Sequence, residues 1–104
     1  MTPVFDRLWI EQGLNDDDLR ELQSKLIVNP FVGDIMKETG GARKTRFALS
    51  NTGKSGGLRI IYLDIAHVQK SFLLLCYPKS KQDDLTPEQK LKIKRAVEAL
   101  KGAL

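Results

Sequence analysis

Three strand-like runs decide the fold: GGARKTRFAL at 40–49, LRIIYLDI at 58–65 and SFLLLCYPKSK at 71–81. Successive side chains of a strand point to opposite faces, so Lys44 and Arg46 share one face of the first run and Phe47 lies on the other. The second run is almost wholly apolar, which is typical of a central strand buried on both faces. The pattern therefore predicts a small antiparallel sheet with one cationic face.

Helical patterns flank these runs on both sides. Apolar residues recur at helical spacing from Val4 to Gln12 and again after residues 15–18, where an asparagine and three aspartates form a strong helix start. Thr86-Pro87-Glu88-Gln89 supplies the N-cap, first-turn proline and capping-box glutamine of a final helix. The segment between the second helix and the sheet is interpreted as a connector with a turn of helix around Ile35.

This order of elements predicts an α+β fold. Two N-terminal helices pack on a small antiparallel sheet of three strands, and a C-terminal helix follows. A fourth short strand at the extreme N-terminus stays open, although Pro3 disfavours it. A chain of 104 residues is expected to form one domain, residues 1–104, without disulfides or a cofactor.

Cysteine and histidine usage narrows the function classes. One histidine, His67, and one cysteine, Cys76, cannot build a zinc site, which usually needs three or four nitrogen and sulfur ligands. Cys76 lies in an apolar run and is interpreted as a core thiol in a reducing compartment. No stretch approaches the ~18 apolar residues of a membrane span. We therefore expect a cytoplasmic protein with no metal and no membrane partner.

Charge is distributed unevenly along the chain. Residues 6–21 carry two cations against six anions, a net charge of −4, whereas residues 37–59 carry six cations against one anion, a net charge of +5. A basic segment of this density suits a polyanion such as nucleic acid. A solvated charged face explains it equally well on charge alone.

Three residues within or beside the strand-like runs have specific interpretations. Arg59 opens an otherwise apolar strand, so it needs a ligand, or alternatively an ion pair with Asp64 or a helix carboxylate. Lys54 lies in a glycine-flanked loop that either contacts phosphate or is merely solvated. Ala48 stands where a P-loop needs its first glycine, so nucleotide hydrolysis is disfavoured. Tyr77 either stacks on a base or completes the core.

Taken together, these pieces resemble the RelE/HigB superfamily of bacterial toxins, and in particular its HigB-like branch. The resemblance runs from about Phe5 to the final helix. It is carried by GGARKTRFA at 40–48, GKSGGLRIIY at 53–62 and LLLCYPKSK at 73–81 before Asp84-Leu85-Thr86. It implies a toxin of a type II toxin–antitoxin pair, a ribosome-dependent endoribonuclease that enters the A site and cleaves messenger RNA. The implied partners are the ribosome with A-site mRNA and a cognate antitoxin, expected to be a helix-turn-helix protein.

The resemblance also implies residue roles in a metal-free attack of a ribose 2′-hydroxyl on the adjacent phosphate. Such chemistry needs a base, cations for the developing charge and an acid for the leaving oxygen. The tyrosine that some members carry before the last helix corresponds to Leu85, and the histidine of other members has no counterpart near Tyr77. The catalytic candidates are Arg59, Lys44, Arg46, Lys79 and Tyr77, and the candidates for RNA or ribosome binding are Arg43, Lys54 and Lys81.

Two competing functions stay open. A non-catalytic RNA- or ribosome-binding module of the same fold accounts for the missing tyrosine and histidine. A purely structural interaction protein accounts least well for the uneven charge.

Overall fold

Two helices, a four-stranded sheet and a third helix follow one another along the part of the chain that is described. The computed structural model of the protein describes residues 3–47, 57–65, 69–78, 82 and 84–103. The elements are α1 (Pro3–Glu11), α2 (Asp16–Val28), β1 (Asp34–Ile35), β2 (Arg43–Phe47), β3 (Leu58–Ile65), β4 (Lys70–Pro78) and α3 (Pro87–Gly102). Neighbouring strands pair antiparallel in the order β1-β2-β3-β4. The predicted α+β class is confirmed.

Both predicted helix starts are confirmed by reciprocal capping contacts. The Asn15 side chain accepts the Asp18 N–H at 2.9 Å, and the Asp18 carboxylate accepts the Asn15 N–H at 3.1 Å. Thr86 and Gln89 make the same pair of contacts at the start of α3. Each arrangement satisfies two backbone donors that a helix start leaves free, so local sequence fixes where α2 and α3 begin.

The fourth strand does not lie at the extreme N-terminus, the position that the sequence analysis left open. Pro3 begins α1, and the extra strand is β1, inside the connector, so the expected turn of helix around Ile35 is wrong. Asp34 pairs with Lys44, and Ile35 pairs with Arg43. A strand of two residues has too short a pattern to be recognised by alternation, and pairing with β2 overrides the local preference.

β3 is the central strand, and its apolar side chains are buried on both faces. Ile60 and Tyr62 pack with the inward residues of α1 and α2, whereas Ile61 and Leu63 pack with those of α3. The expectation for the second strand-like run is thus confirmed. The sheet lies between two helical layers, α1 with α2 on one face and α3 on the other.

The Tyr62 side chain attaches the connector to the centre of the sheet. Its hydroxyl donates to the Pro30 carbonyl at 2.7 Å and accepts the Gly33 N–H at 3.0 Å. Burial is the main cause of the raised pKa of Tyr62, so the phenol stays neutral. Gly33 has no room for a side chain, because a Cβ there would lie 2.8 Å from the Lys44 carbonyl oxygen. The start of β1 is therefore held closely against β2.

We expect Tyr62→Phe to lower the free energy of unfolding by about 1–3 kcal/mol, because the Gly33 N–H and the Pro30 carbonyl lose their shared partner while the ring still fills the core. Urea unfolding measures the change, and an unaltered slope with denaturant verifies that the same surface is exposed. An unchanged unfolding midpoint would show that these two hydrogen bonds do not hold the connector.

Candidate functional site

Three of the five predicted catalytic residues lie side by side across three strands. Arg46 of β2 pairs with Arg59 of β3, and Arg59 pairs with Tyr77 of β4. Directly opposed residues of antiparallel strands have Cα atoms ~4.5–5.5 Å apart and side chains on the same face. We call these three residues the arginine row. It brings two guanidinium groups and a phenol together on the sheet face that α3 covers.

Arg59 is half-buried between two buried neighbours, Leu58 and Ile60. Its Nε atom is buried and has no hydrogen-bond partner within the described residues. The alternative pairing with Asp64 is not observed, because Asp64 lies on the opposite face and accepts a hydrogen bond from the Ser71 hydroxyl at 2.9 Å. No carboxylate in the described ranges forms an ion pair with Arg59. A buried donor of this kind calls for a ligand or another explanation.

Lys44 lies on the face of the arginine row, two residues before Arg46, and contacts a carboxylate that the sequence analysis did not identify. The Lys44 Nζ atom is 3.7 Å from Asp84 Oδ1, and the Lys90 Nζ atom is 3.8 Å from Asp84 Oδ2. The Leu85 backbone N–H also donates to Asp84 at 2.8 Å. This N–H first, and then the two lysines, lower the pKa of Asp84. The carboxylate therefore joins the start of α3 to β2.

Tyr77 occupies the core at the end of the arginine row. It is 7% exposed, packs in the same apolar cluster as Leu85 and Ile93, and has a buried hydroxyl. Of the two interpretations given above, the core position is the one observed. A stacking role would require the ring to leave this cluster. Leu85, at the position where the resemblance implies a tyrosine in some members, is buried there as well.

Arg43, the predicted binding residue that lies within the described ranges, is not part of the row. Arg43 lies on the opposite face, where its Nη1 atom donates to the Gly33 carbonyl at 2.8 Å and its guanidinium stands 5.1 Å from the centre of the Phe31 ring. Strand alternation explains this position, because Arg43 directly precedes Lys44 and its side chain therefore points to the opposite face of the sheet. Lys54, Lys79 and Lys81 lie outside the described residues, as does His67.

The interpretation of Cys76 as a core thiol is confirmed. Its side chain is buried in the cluster beneath α1 and α2. Burial is the main cause that raises the pKa of Cys76 to about 12, so the thiol is protonated at neutral pH. It lacks the thiolate character that a nucleophile needs.

A family model described as the RelE toxin of the RelE/RelB toxin–antitoxin system matches residues 2–103. The chain belongs to the RelE toxin family. RelE proteins are toxins of toxin–antitoxin systems and are generally endoribonucleases, so this RelE-family chain has a cognate antitoxin as its partner. The resemblance is confirmed at the level of the family, and the HigB-like branch stays a prediction. No helix in the described part of the chain is long and apolar enough to cross a membrane.

We expect Asp84→Asn to destabilise the protein at pH 7 and to have a smaller effect at pH 2. The folded-state pKa of Asp84 is below its ordinary value of 3.8, so the ionised carboxylate stabilises the fold above that pH. This contribution disappears as the pH falls through the folded-state pKa. Thermal unfolding should show a midpoint ~1–4 °C lower than wild type at pH 7, since partly exposed ion pairs contribute little. An equal difference at both pH values would contradict the charge-based explanation.

Proposed function

We propose that this RelE-family toxin is a ribosome-dependent mRNA endoribonuclease of the HigB-like branch that inhibits translation in the cytoplasm. The arginine row is the observation that carries the proposal. Like charges directly opposite one another destabilise a sheet, and the buried Arg59 Nε is left unpartnered within the described ranges. A phosphate bound over Arg46 and Arg59 would offset both costs. Guanidinium groups suit this task because they bind two phosphate oxygens at once and stay charged.

The proposed reaction needs no metal ion. The ribose 2′-oxygen attacks the adjacent phosphorus, the bond from phosphorus to the 5′-oxygen breaks, and the products are a 2′,3′-cyclic phosphate and a 5′-hydroxyl. Arg59 and Arg46 stabilise the charge that develops on the phosphorane oxygens. Lys44, on the same face of β2, is proposed to accept the 2′-hydroxyl proton as the neutral amine that forms when its ammonium loses a proton to water. Tyr77 and Lys79, at and just after the end of β4, are the candidates for donating a proton to the leaving oxygen.

A second function is favoured by the burial of Tyr77 and Leu85. Because the Tyr77 ring is buried and Leu85 cannot stack on a base, the same basic face would serve a non-catalytic module that binds RNA or the ribosome. Mapping message ends in a cell-free translation reaction separates the two. Cleavage in the A-site codon with cyclic-phosphate ends supports the nuclease, and arrest without new ends supports the binding module. A 2′-deoxy nucleotide at the cleavage position should abolish cleavage.

We expect Arg59→Ala to slow message cleavage by ~10²- to 10³-fold, because it removes a donor aimed at transition-state charge. Its stability should stay close to that of the wild type, since no ion pair within the described ranges is lost. Primer extension on ribosome-bound message and thermal unfolding are measured on the same preparations. The matched control is Arg95→Ala, which removes an exposed arginine from α3 and should cleave at the wild-type rate. A stable Arg59→Ala protein with wild-type cleavage would exclude a catalytic role.

We expect Lys54→Ala to weaken ribosome binding and to make it less dependent on salt. If Lys54 neutralises one phosphate, the variant releases about one counterion fewer on binding than the wild type does. Binding is measured across a series of salt concentrations. Lys92→Ala, which removes an exposed cation paired with Glu88 on α3, is the control for total charge. Identical salt slopes for wild type and Lys54→Ala would count against a phosphate contact.

A further inference from the structure

Large apolar side chains cluster on the surface between the end of α2 and β1. Of the eight exposed ones among the described residues, five lie in this short segment, and each is between 51% and 85% exposed. They are Ile27, Val28, Phe31, Val32 and Ile35. Folding alone does not require so dense an apolar patch on the surface, and such patches are typical of protein interaction sites.

A groove of about 440 Å³ lies beside this patch, between α2 and β2. Leu22, Leu26 and Phe47 are buried and contribute apolar lining, and Val28 and Val32 line it as exposed residues. We call it the α2–β2 groove. Its shape and lining suit a few apolar side chains presented in a row by a partner segment.

The charged residues that line the α2–β2 groove are both cations, Lys25 and Arg46. The Lys25 Nζ atom lies 4.8 Å from the centre of the Phe47 ring, close to the apolar lining. No carboxylate lines this groove among the described residues. A second, larger groove of about 700 Å³, which Leu26 also lines, has a carboxylate, Asp64, and no cation among its lining residues in the described ranges. Complementarity therefore favours a partner with carboxylates beside its apolar anchors.

Two other occupants fit the α2–β2 groove less well. A second copy of this chain, related by a twofold axis, would bring its own Lys25 and Arg46 into the same interface, where no carboxylate that lines the groove among the described residues offsets them. RNA would find no stacking surface, because Phe47 is almost completely buried and the other apolar lining residues are aliphatic.

We propose that the α2–β2 groove is the docking site for an acidic amphipathic segment of the cognate antitoxin. The proposal rests on the toxin role of the chain and names the surface by which that toxin is held. Arg46 lines this groove and also belongs to the arginine row. Strand alternation turns the Arg46 side chain to the face of the row, so a segment docked in the groove contacts β2 directly beside the row without covering the face beneath α3.

The decisive variant is Val28→Asp, with Ile10→Asp as its matched control. Both replace an exposed β-branched residue in the last turn of a helix, and these residues are 85% and 72% exposed. An acid near a helix C-terminus is unfavourable, so both variants should lose a similar amount of stability for this reason. The probe is the cognate antitoxin, purified after co-expression with the toxin, and its dissociation constant is measured by calorimetry. We expect Val28→Asp, and independently Val32→Asp, to weaken binding at least ~30-fold, as expected at the centre of an interface.

The controls define the outcome. Ile10→Asp should bind as the wild type does, and the thermal midpoints of Val28→Asp and Ile10→Asp should match. Lys25→Ala should weaken binding a few-fold and reduce its salt dependence. Wild-type affinity in both valine variants would overturn the proposal. A wild-type dimer in sedimentation that Val28→Asp dissociates, with antitoxin binding intact, would also overturn it and assign the groove to self-association.

The binding assay contains neither ribosomes nor message, so it is independent of the proposed nuclease activity. Val28→Asp should inhibit cell-free translation as the wild type does when no antitoxin is added. A wild type that fails to cleave message would overturn the nuclease proposal. Loss of antitoxin binding in Val28→Asp would support the groove even in that case.

Discussion

The burial of β3 on both faces is the constraint on which the rest of the structure depends. Ile60 and Tyr62 on one face and Ile61 and Leu63 on the other must both be shielded from water, so helices are needed on each side of the sheet. Pairing with β2 and β4 then sets the register. A slip of one residue would turn Arg59 to the opposite face, so the packing of the core also positions the arginine row.

Much of the fold was predictable because its signals are local. Capping boxes specify where α2 and α3 begin, and the apolar run of β3 indicates a central strand without knowledge of its neighbours. β1 was not predictable, because it depends on contacts that no local pattern contains. Tyr62 binds Pro30 and Gly33 from about 30 residues away in the chain, and this holds a two-residue strand in place.

The candidate site likewise combines residues that the sequence indicates with contacts that only the fold supplies. The sequence indicates Arg59 because a charge in an apolar run is unusual, and strand alternation correctly predicts Lys44 and Arg46 on one face. The same alternation could have separated Arg43 from them. The contact of Asp84 with Lys44 joins residues forty positions apart, and the burial of Tyr77 depends on the residues that α3 and its approach bring over the sheet. Only the assembled fold supplies these two facts.

The position of Arg46 at both the arginine row and the α2–β2 groove makes the two proposed ligands thermodynamically linked. Because Arg46 contributes to both surfaces, an antitoxin segment that shifts this residue on docking would weaken phosphate binding at the row, and by linkage the message would weaken antitoxin binding by the same factor. Message and antitoxin would then compete without occupying the same surface. A toxin molecule already engaged with message would resist recapture, so the antitoxin would act chiefly on toxin that has not yet reached its target.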